Sequence, residues 1–329
     1  MNYFVKEFDK DNVRITGYVH DLSEELQNVN KRPAILIFPG GGYSMCSDRE
    51  AEPVALAYMA EGYQAFVLRY SVGQEIPFSE SYDDAVKALN YLKEHGEELH
   101  IDIEKIAVAG FSAGGHLAAS VATMCDVKPS AMILGYPCIL ASMGKLLKKE
   151  LPGVNEEVTN KTPPAFIFST SDDLAVPVTN SLEFADALDQ HGVEFELHIY
   201  RKGQHGLSLA KTFTSSGKRN MVNPAVAKWF TSSITWLKGI WGDFEVEDDS
   251  EDFEMEKSVL GINTPVTILL NHEHCKKILL QKLPDLKSML ETNPMAGSYS
   301  LSVMNRYSPE NVTDAMLKEL EVELSKIEE

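Results

Sequence analysis

The sequence predicts an α/β chain, a mostly parallel sheet with helices on both faces, followed by a small all-helical module. Three observations predict it. Short β-rich apolar runs alternate with helical periods through the first 240 or so residues, as when strands are joined by crossover helices. A strongly acidic run then interrupts the composition, DFEVEDDSEDFEME at 243–256. Beyond it the apolar spacing is helical.

The strands expected in chain order are 33–38 (PAILIF), 64–70 (QAFVLRY), 105–110 (KIAVAG), 131–136 (AMILGY), 164–170 (PAFIFST) and 195–200 (FELHIY). Between and after them, 50–62, 80–96, 113–124, 178–192 and 222–240 carry helical periods, and three of these end on Gly62, Gly96 and Gly192, as helix C-termini often do. Nine of the fourteen residues at 243–256 are Asp or Glu. Such a run repels itself and buries little, so it reads as a solvated linker. The expected organisation is therefore a catalytic domain at 1–242, an acidic linker at 243–256 and a small helical domain at 257–329. Within the last, 264–290 and 313–329 have helical spacing, with Thr264 and Thr313 placed as N-caps.

Charge and composition exclude some classes of function. Acidic residues outnumber basic ones 49 to 30, a formal charge of −19, which disfavours a nucleic-acid partner because phosphate binding needs clustered Lys and Arg. No apolar stretch approaches the ~18 residues of a membrane span. The start, MNYFVKEFDKDNV, has neither a basic nor an apolar leader region, so the expected location is cytoplasmic. Cys46, Cys125, Cys138 and Cys275 are few and scattered, as expected of reduced thiols.

The chemistry begins at 107–120, AVAGFSAGGHLAAS. Gly110, Phe111, Ser112, Ala113 and Gly114 form G-x-S-x-G between a β-branched run and a good helix former. At such a turn the serine hydroxyl stands clear of the sheet at a helix N-terminus, where partial positive charge favours a developing oxyanion. A serine is a poor nucleophile unless a base takes its proton and a carboxylate holds the base. Asp173 opens D-x-x-V-P after the strand at 164–170 and keeps the spacing to Val176 and Pro177; Asp172 is its competitor. His205 follows in a Gly-flanked loop, RKGQHGLSLA, where a mobile imidazole belongs. His95, His100, His116, His191 and His198 fit packing or surface roles better. A glycine run, Gly40 to Gly42, follows the strand at 33–38 and is placed to present unobstructed N–H groups to an oxyanion.

Together PGGGY, GFSAGGHLAA, SDDLAVPVTNSLEFADAL and ELHIYRKGQHGLSLA resemble the α/β-hydrolase superfamily in its acetyl esterase/lipase branch, nearest to carbohydrate esterases of the acetylxylan and feruloyl type. The resemblance covers about 30–240. It implies an α/β-hydrolase fold, a triad of Ser112, His205 and Asp173, and an oxyanion hole from the N–H groups of Gly41, Gly42 and Ala113. It also implies that neither cofactor nor metal is needed. Many relatives carry H-G-G-G where this chain has Pro39, a departure from the lipase pattern that weighs against long-chain lipids. The stretch at 140–161 reads as a short polar connection rather than an apolar lid. The substrate implied is a small ester, an acetylated saccharide foremost.

Two rivals stand beside this reading. An amidase or peptidase would use the same triad, and a binding or scaffold protein would act through the C-terminal helices. That module resembles helical segments trailing some bacterial glycosidases. Its His272 and Cys275 share a helical face, but no further ligands cluster there and a structural role is the expectation. Homo-oligomer formation through the module is compatible with the sequence.

Overall fold

In the computed structural model, which describes residues 1–10, 12–246 and 260–327, the first part of the chain builds one eight-stranded sheet. Its strands are β1 (Asn2–Glu7), β2 (Arg14–Val19), β3 (Arg32–Phe38), β4 (Gln64–Arg69), β5 (Ile101–Phe111), β6 (Ala131–Gly135), β7 (Ala165–Thr170) and β8 (Phe195–Tyr200). They lie in the order β1-β2-β4-β3-β5-β6-β7-β8. The six strands from β3 onward pair in parallel, while β1–β2 and β2–β4 are antiparallel.

The inner strands read as continuous apolar runs because both faces are covered. Along β3 the side chains alternate between two cores. Ala34, Leu36 and Phe38 join the core under α2 (Phe78–Glu94), α3 (Ala113–Met124) and α5 (Thr179–Gln190). Ile35 and Ile37 join the other, under α1 (Glu52–Ala60) and α6 (Lys228–Trp241). The three tryptophans of the chain, Trp229, Trp236 and Trp241, all lie on α6, and Trp229 stacks on Phe168 with ring centroids 4.5 Å apart.

Strands β1 and β2 were not among the expected strands. β1 is exposed along almost its whole length, so it lacks the in-out alternation that marks a half-buried strand. β2 carries Gly17 at its centre, a residue that weakens a strand unless something covers it. Phe4, directly opposite on β1, supplies that cover with its ring.

The chain divides into two compact units, Met1–Val246 and Glu247–Glu329. The acidic stretch expected as a linker lies outside the described residues from 247 onward, as do 257–259. The second unit contains α7 (Val266–Asn271), α8 (Glu273–Lys282), α9 (Leu286–Thr292), α10 (Leu301–Tyr307) and α11 (Asp314–Leu324) around a core that includes Leu269, Leu279, Leu301 and Leu320. Cys275 is buried in that core. Thr313 caps α11 by accepting from the Met316 N–H at 3.3 Å. Thr264 does not cap α7: Pro265 occupies that position, and the Thr264 hydroxyl turns back to accept from the Gly261 N–H. The long apolar period at 264–290 breaks into three helices, first at the extended backbone of His272 and again around Pro284, which cannot continue a helix.

Candidate active site

β5 runs straight into Ser112, whose backbone sits at φ 54°, ψ −119°, and α3 begins at the next residue. That conformation is costly for a residue with a Cβ, and the surroundings hold it. The Ser112 N–H donates to the Gly135 carbonyl at 3.0 Å, and its own carbonyl accepts from the N–H groups of His116 and Cys138. The flanking glycines are required by close approach. A side chain on Gly110 would strike the Gly114 carbonyl, and one on Gly114 would strike the Phe38 carbonyl.

The loop after β8 carries His205, and the turn after β7 carries Asp173. His205 Nδ1 lies 2.7 Å from Asp173 Oδ2, and His205 Nε2 lies 2.8 Å from Ser112 Oγ. Because the Nδ1 partner is a carboxylate, the ring proton belongs on Nδ1, which leaves Nε2 to accept from the serine hydroxyl. Asp173 Oδ1 accepts from the N–H groups of Ala175 and Val176 at 2.8 and 3.0 Å. Burial alone would raise the Asp173 carboxyl; the hydrogen bond and charge of His205, with those two N–H groups, outweigh it and hold the group below the ordinary carboxylate value. Asp172 turns the other way and accepts from the Gly203 N–H at 2.7 Å. The carboxylate that reaches the imidazole is therefore that of Asp173.

A cleft of about 440 Å³ opens over Ser112 and His205, lined also by Gly41, Gly42, Met45 and Val176. Gly41 and Gly42 both have positive φ, 126° and 64°. Among the described residues no backbone carbonyl accepts from the N–H of Gly41, Gly42 or Ala113. The segment at 140–161 is less polar at the site than expected. It contains the helical turn α4 (Met143–Leu147), whose Leu146 and Leu147 line the cleft. Cys138, Met143 and Val176 form a small apolar cluster beside the serine, and burial pushes the Cys138 thiol up to about 12 despite the opposing effect of its contact with Ser112.

Among the buried polar side chains that frame this surface, sequence reasoning passed over Glu50 and gave His116 only a packing or surface role. Glu50 is only 2% exposed, and its carboxylate accepts from the Gly40 N–H at 2.9 Å and from the Tyr136 hydroxyl at 2.6 Å. His116, one turn into α3, is fully buried; Tyr43 Oη donates to its Nδ1 at 2.9 Å, and its Nε2 donates to the Pro152 carbonyl at 3.0 Å. It thereby ties the glycine loop to the 140–161 segment. Burial, opposed only by the Pro152 hydrogen bond, lowers His116 to about 4 from the ordinary 6.5. The unfolded chain therefore binds a proton that the folded chain refuses between about pH 6.5 and 4, so stability falls as pH falls through that window. The expected loss from His116 between about pH 7 and 5 is roughly 2 kcal/mol. Denaturant midpoints at the two pH values check this, and the slope should flatten in His116→Gln.

Ser112, Asp173 and His205 each follow the C-terminal end of a parallel strand, in the chain order serine, acid, histidine. Fold and site together define the class, a hydrolase on an α/β scaffold. The family described as alpha/beta hydrolase fold matches residues 35–151, and the prolyl oligopeptidase family matches 148–231. A similar solved structure is MGS-M1, an α/β-hydrolase enzyme from a Medee basin deep-sea metagenome library. It is 44% identical with a TM-score of 0.70, over 73% of this chain and 98% of that one. An acetyl ester-xyloside bifunctional hydrolase from Caldicellulosiruptor lactoaceticus is 35% identical with a TM-score of 0.61, over 70% and 89% of the two chains. The acetylxylan esterase of Xylanibacter ruminicola is 31% identical over 55% of this chain and 42% of its own length. The chain belongs to the α/β-hydrolase family. It spans less than half the length of the first curated relatives it matches.

Proposed function

We propose that the chain is a serine esterase that removes acetyl or another short acyl group from a carbohydrate ester. The observation that carries the reading is the pair of contacts along Ser112 Oγ, His205 Nε2, His205 Nδ1 and Asp173 Oδ2, at 2.8 and 2.7 Å, at the floor of an open cleft. Ser112 Oγ attacks the ester carbonyl while His205 takes its proton, and Asp173 holds the imidazole and stabilises the imidazolium. The carbonyl π pair moves to oxygen, where the N–H groups of Gly41, Gly42 and Ala113 receive it. Collapse expels the alcohol, which takes the proton from His205. Water then repeats the sequence on the acyl-enzyme, with His205 again the base, and releases the acid. None of these steps calls on a metal or organic cofactor.

The saccharide is supported by the names of the acetylxylan esterase and acetyl ester-xyloside hydrolase relatives, and the short acyl group by the acetyl ester that both names carry. The proposal places the enzyme in the cytoplasm, in keeping with four free thiols. Among the described residues, no helix is long and apolar enough to cross a membrane.

The match to the prolyl oligopeptidase family favours a second reading, an amide or peptide substrate for the same residues. Turnover of acetylated xylo-oligosaccharides, p-nitrophenyl acetate, p-nitrophenyl octanoate and an N-acetylaminoacyl anilide separates the two. The expected result is release of acetate from the sugars and a fall of at least about tenfold from acetate to octanoate, since one methylene more or less is worth ~1–3 kcal/mol in a fitted apolar pocket. Faster cleavage of the anilide than of any ester would overturn the proposal in favour of the peptidase.

A further inference from the structure

We propose that Glu50 is a positioning residue that sets the oxyanion loop and the histidine loop from a single buried carboxylate. The inference rests on the catalytic reading above and extends it to a residue at the border of the cleft whose two carboxylate oxygens are bound to Gly40 and Tyr136 and not to Ser112 or His205. Both carboxylate oxygens are committed. Oε2 accepts from Gly40, the residue immediately before the two glycines that face the cleft. Oε1 accepts from Tyr136, whose hydroxyl oxygen in turn accepts from the Ser208 N–H at 2.8 Å, three residues after His205. The Tyr136 ring packs edge-on against the His205 ring with centroids 5.1 Å apart.

The neighbouring Arg49 closes the other side of the same loop, donating to the Gly206 and Thr214 carbonyls at 2.7 and 3.2 Å, and the Ser208 hydroxyl donates to the Arg49 carbonyl. Trp229 completes the frame through its indole N–H to the Ser208 carbonyl at 2.9 Å.

A buried carboxylate is expensive, and packing alone would be served better by an apolar side chain. What a carboxylate offers is two acceptors for two donors that arrive from different loops. Glutamine supplies only one acceptor oxygen; its NH2 would face either the Gly40 N–H or the Tyr136 hydroxyl. Glutamine also lacks the negative charge that favours the imidazolium formed on His205 during turnover.

The charged and titratable groups facing Glu50 are Arg49 on its own turn, Tyr136 after β6, Tyr70 after β4 and His205 after β8. Burial pushes Glu50 up; the Tyr136 hydroxyl, the Gly40 N–H and the charges of Arg49 and His205 pull it back in part, so it ends above the ordinary carboxylate value.

The test uses the full chain, with the parent and Ser112→Ala as references and p-nitrophenyl acetate as substrate. Glu50→Gln is expected to lower kcat by about 10- to 100-fold with KM changed less than about threefold, the size of effect that misplaced catalytic groups produce. The acid limb of its kcat/KM profile should move to lower pH, because the imidazolium loses a neighbouring negative charge; a merely structural role would leave the limb in place. Tyr136→Phe keeps the carboxylate and the volume but cuts the link to Ser208, and is expected to lose about tenfold in kcat with a smaller shift of the limb. It carries the test should Glu50→Gln not fold. A kcat within twofold of the parent in either variant, or an unmoved limb in a folded Glu50→Gln, overturns the inference while leaving the catalytic reading intact. A parent without esterase activity removes both.

Discussion

Replacing Ser112 by alanine is expected to lower turnover of a short acyl ester by about 10⁴-fold or more, with the remainder supplied by binding and the oxyanion donors alone. Steady-state rates on p-nitrophenyl acetate measure it, and activity within tenfold of the parent would be incompatible with Ser112 as nucleophile. The same position carries a stability signature. Alanine retains a Cβ at φ 54° and should leave the denaturant midpoint close to the parent's. Glycine relieves the strained backbone and should stabilise the folded chain by about 1 kcal/mol, a gain partly offset by the greater freedom of glycine in the unfolded state. An inactive variant that is more stable than the parent would mark Ser112 as a residue held in place for chemistry.

The second large effect separates two adjacent carboxylates. Asp173→Asn keeps the shape but presents an amide to His205 Nδ1, which favours the wrong tautomer and takes away the charge opposite the imidazolium. A loss of about 10⁴ in kcat is expected at neutral pH. Asp172→Asn keeps an oxygen for the Gly203 N–H and removes only the charge facing a distant lysine, so its kcat should stay within about tenfold of the parent. Equal losses in the two variants would sink the assignment of Asp173 as the orienting acid.

The pattern of residues that could be read in advance has a physical origin. The strands β3 to β7 stand out because a sheet covered on both faces forces apolar runs, while β8, a partly buried edge strand, shows alternation instead. Helices α2 and α5 show one buried stripe, whereas α3 is buried all round. β1 lacks that signal because it is exposed, and β2 because Phe4 does for Gly17 what a side chain on β2 would otherwise do. Ser112, Asp173 and His205 are legible because each must sit just past a strand and needs a particular residue type, with glycines marking the turns. Glu50, Tyr136 and the pair Tyr43 and His116 are not. A carboxylate at the start of a helical period reads as a surface residue, and only the folded chain shows that its partners arrive from Gly40 and, through Tyr136, from Ser208. The caps divide in the same way. Thr313 and Thr264 look alike in sequence, but a proline directly after Thr264 moves the helix start by one residue and leaves its hydroxyl to another turn.

The placement of every indole on α6 gives the protein a built-in optical label. Emission excited selectively at tryptophan reports on the unit Met1–Val246 alone, while the unit at the C-terminal end is silent in that channel. Circular dichroism sees the helices of both. A denaturant titration followed by the two methods together therefore separates the melting of one unit from that of the other without cutting the chain.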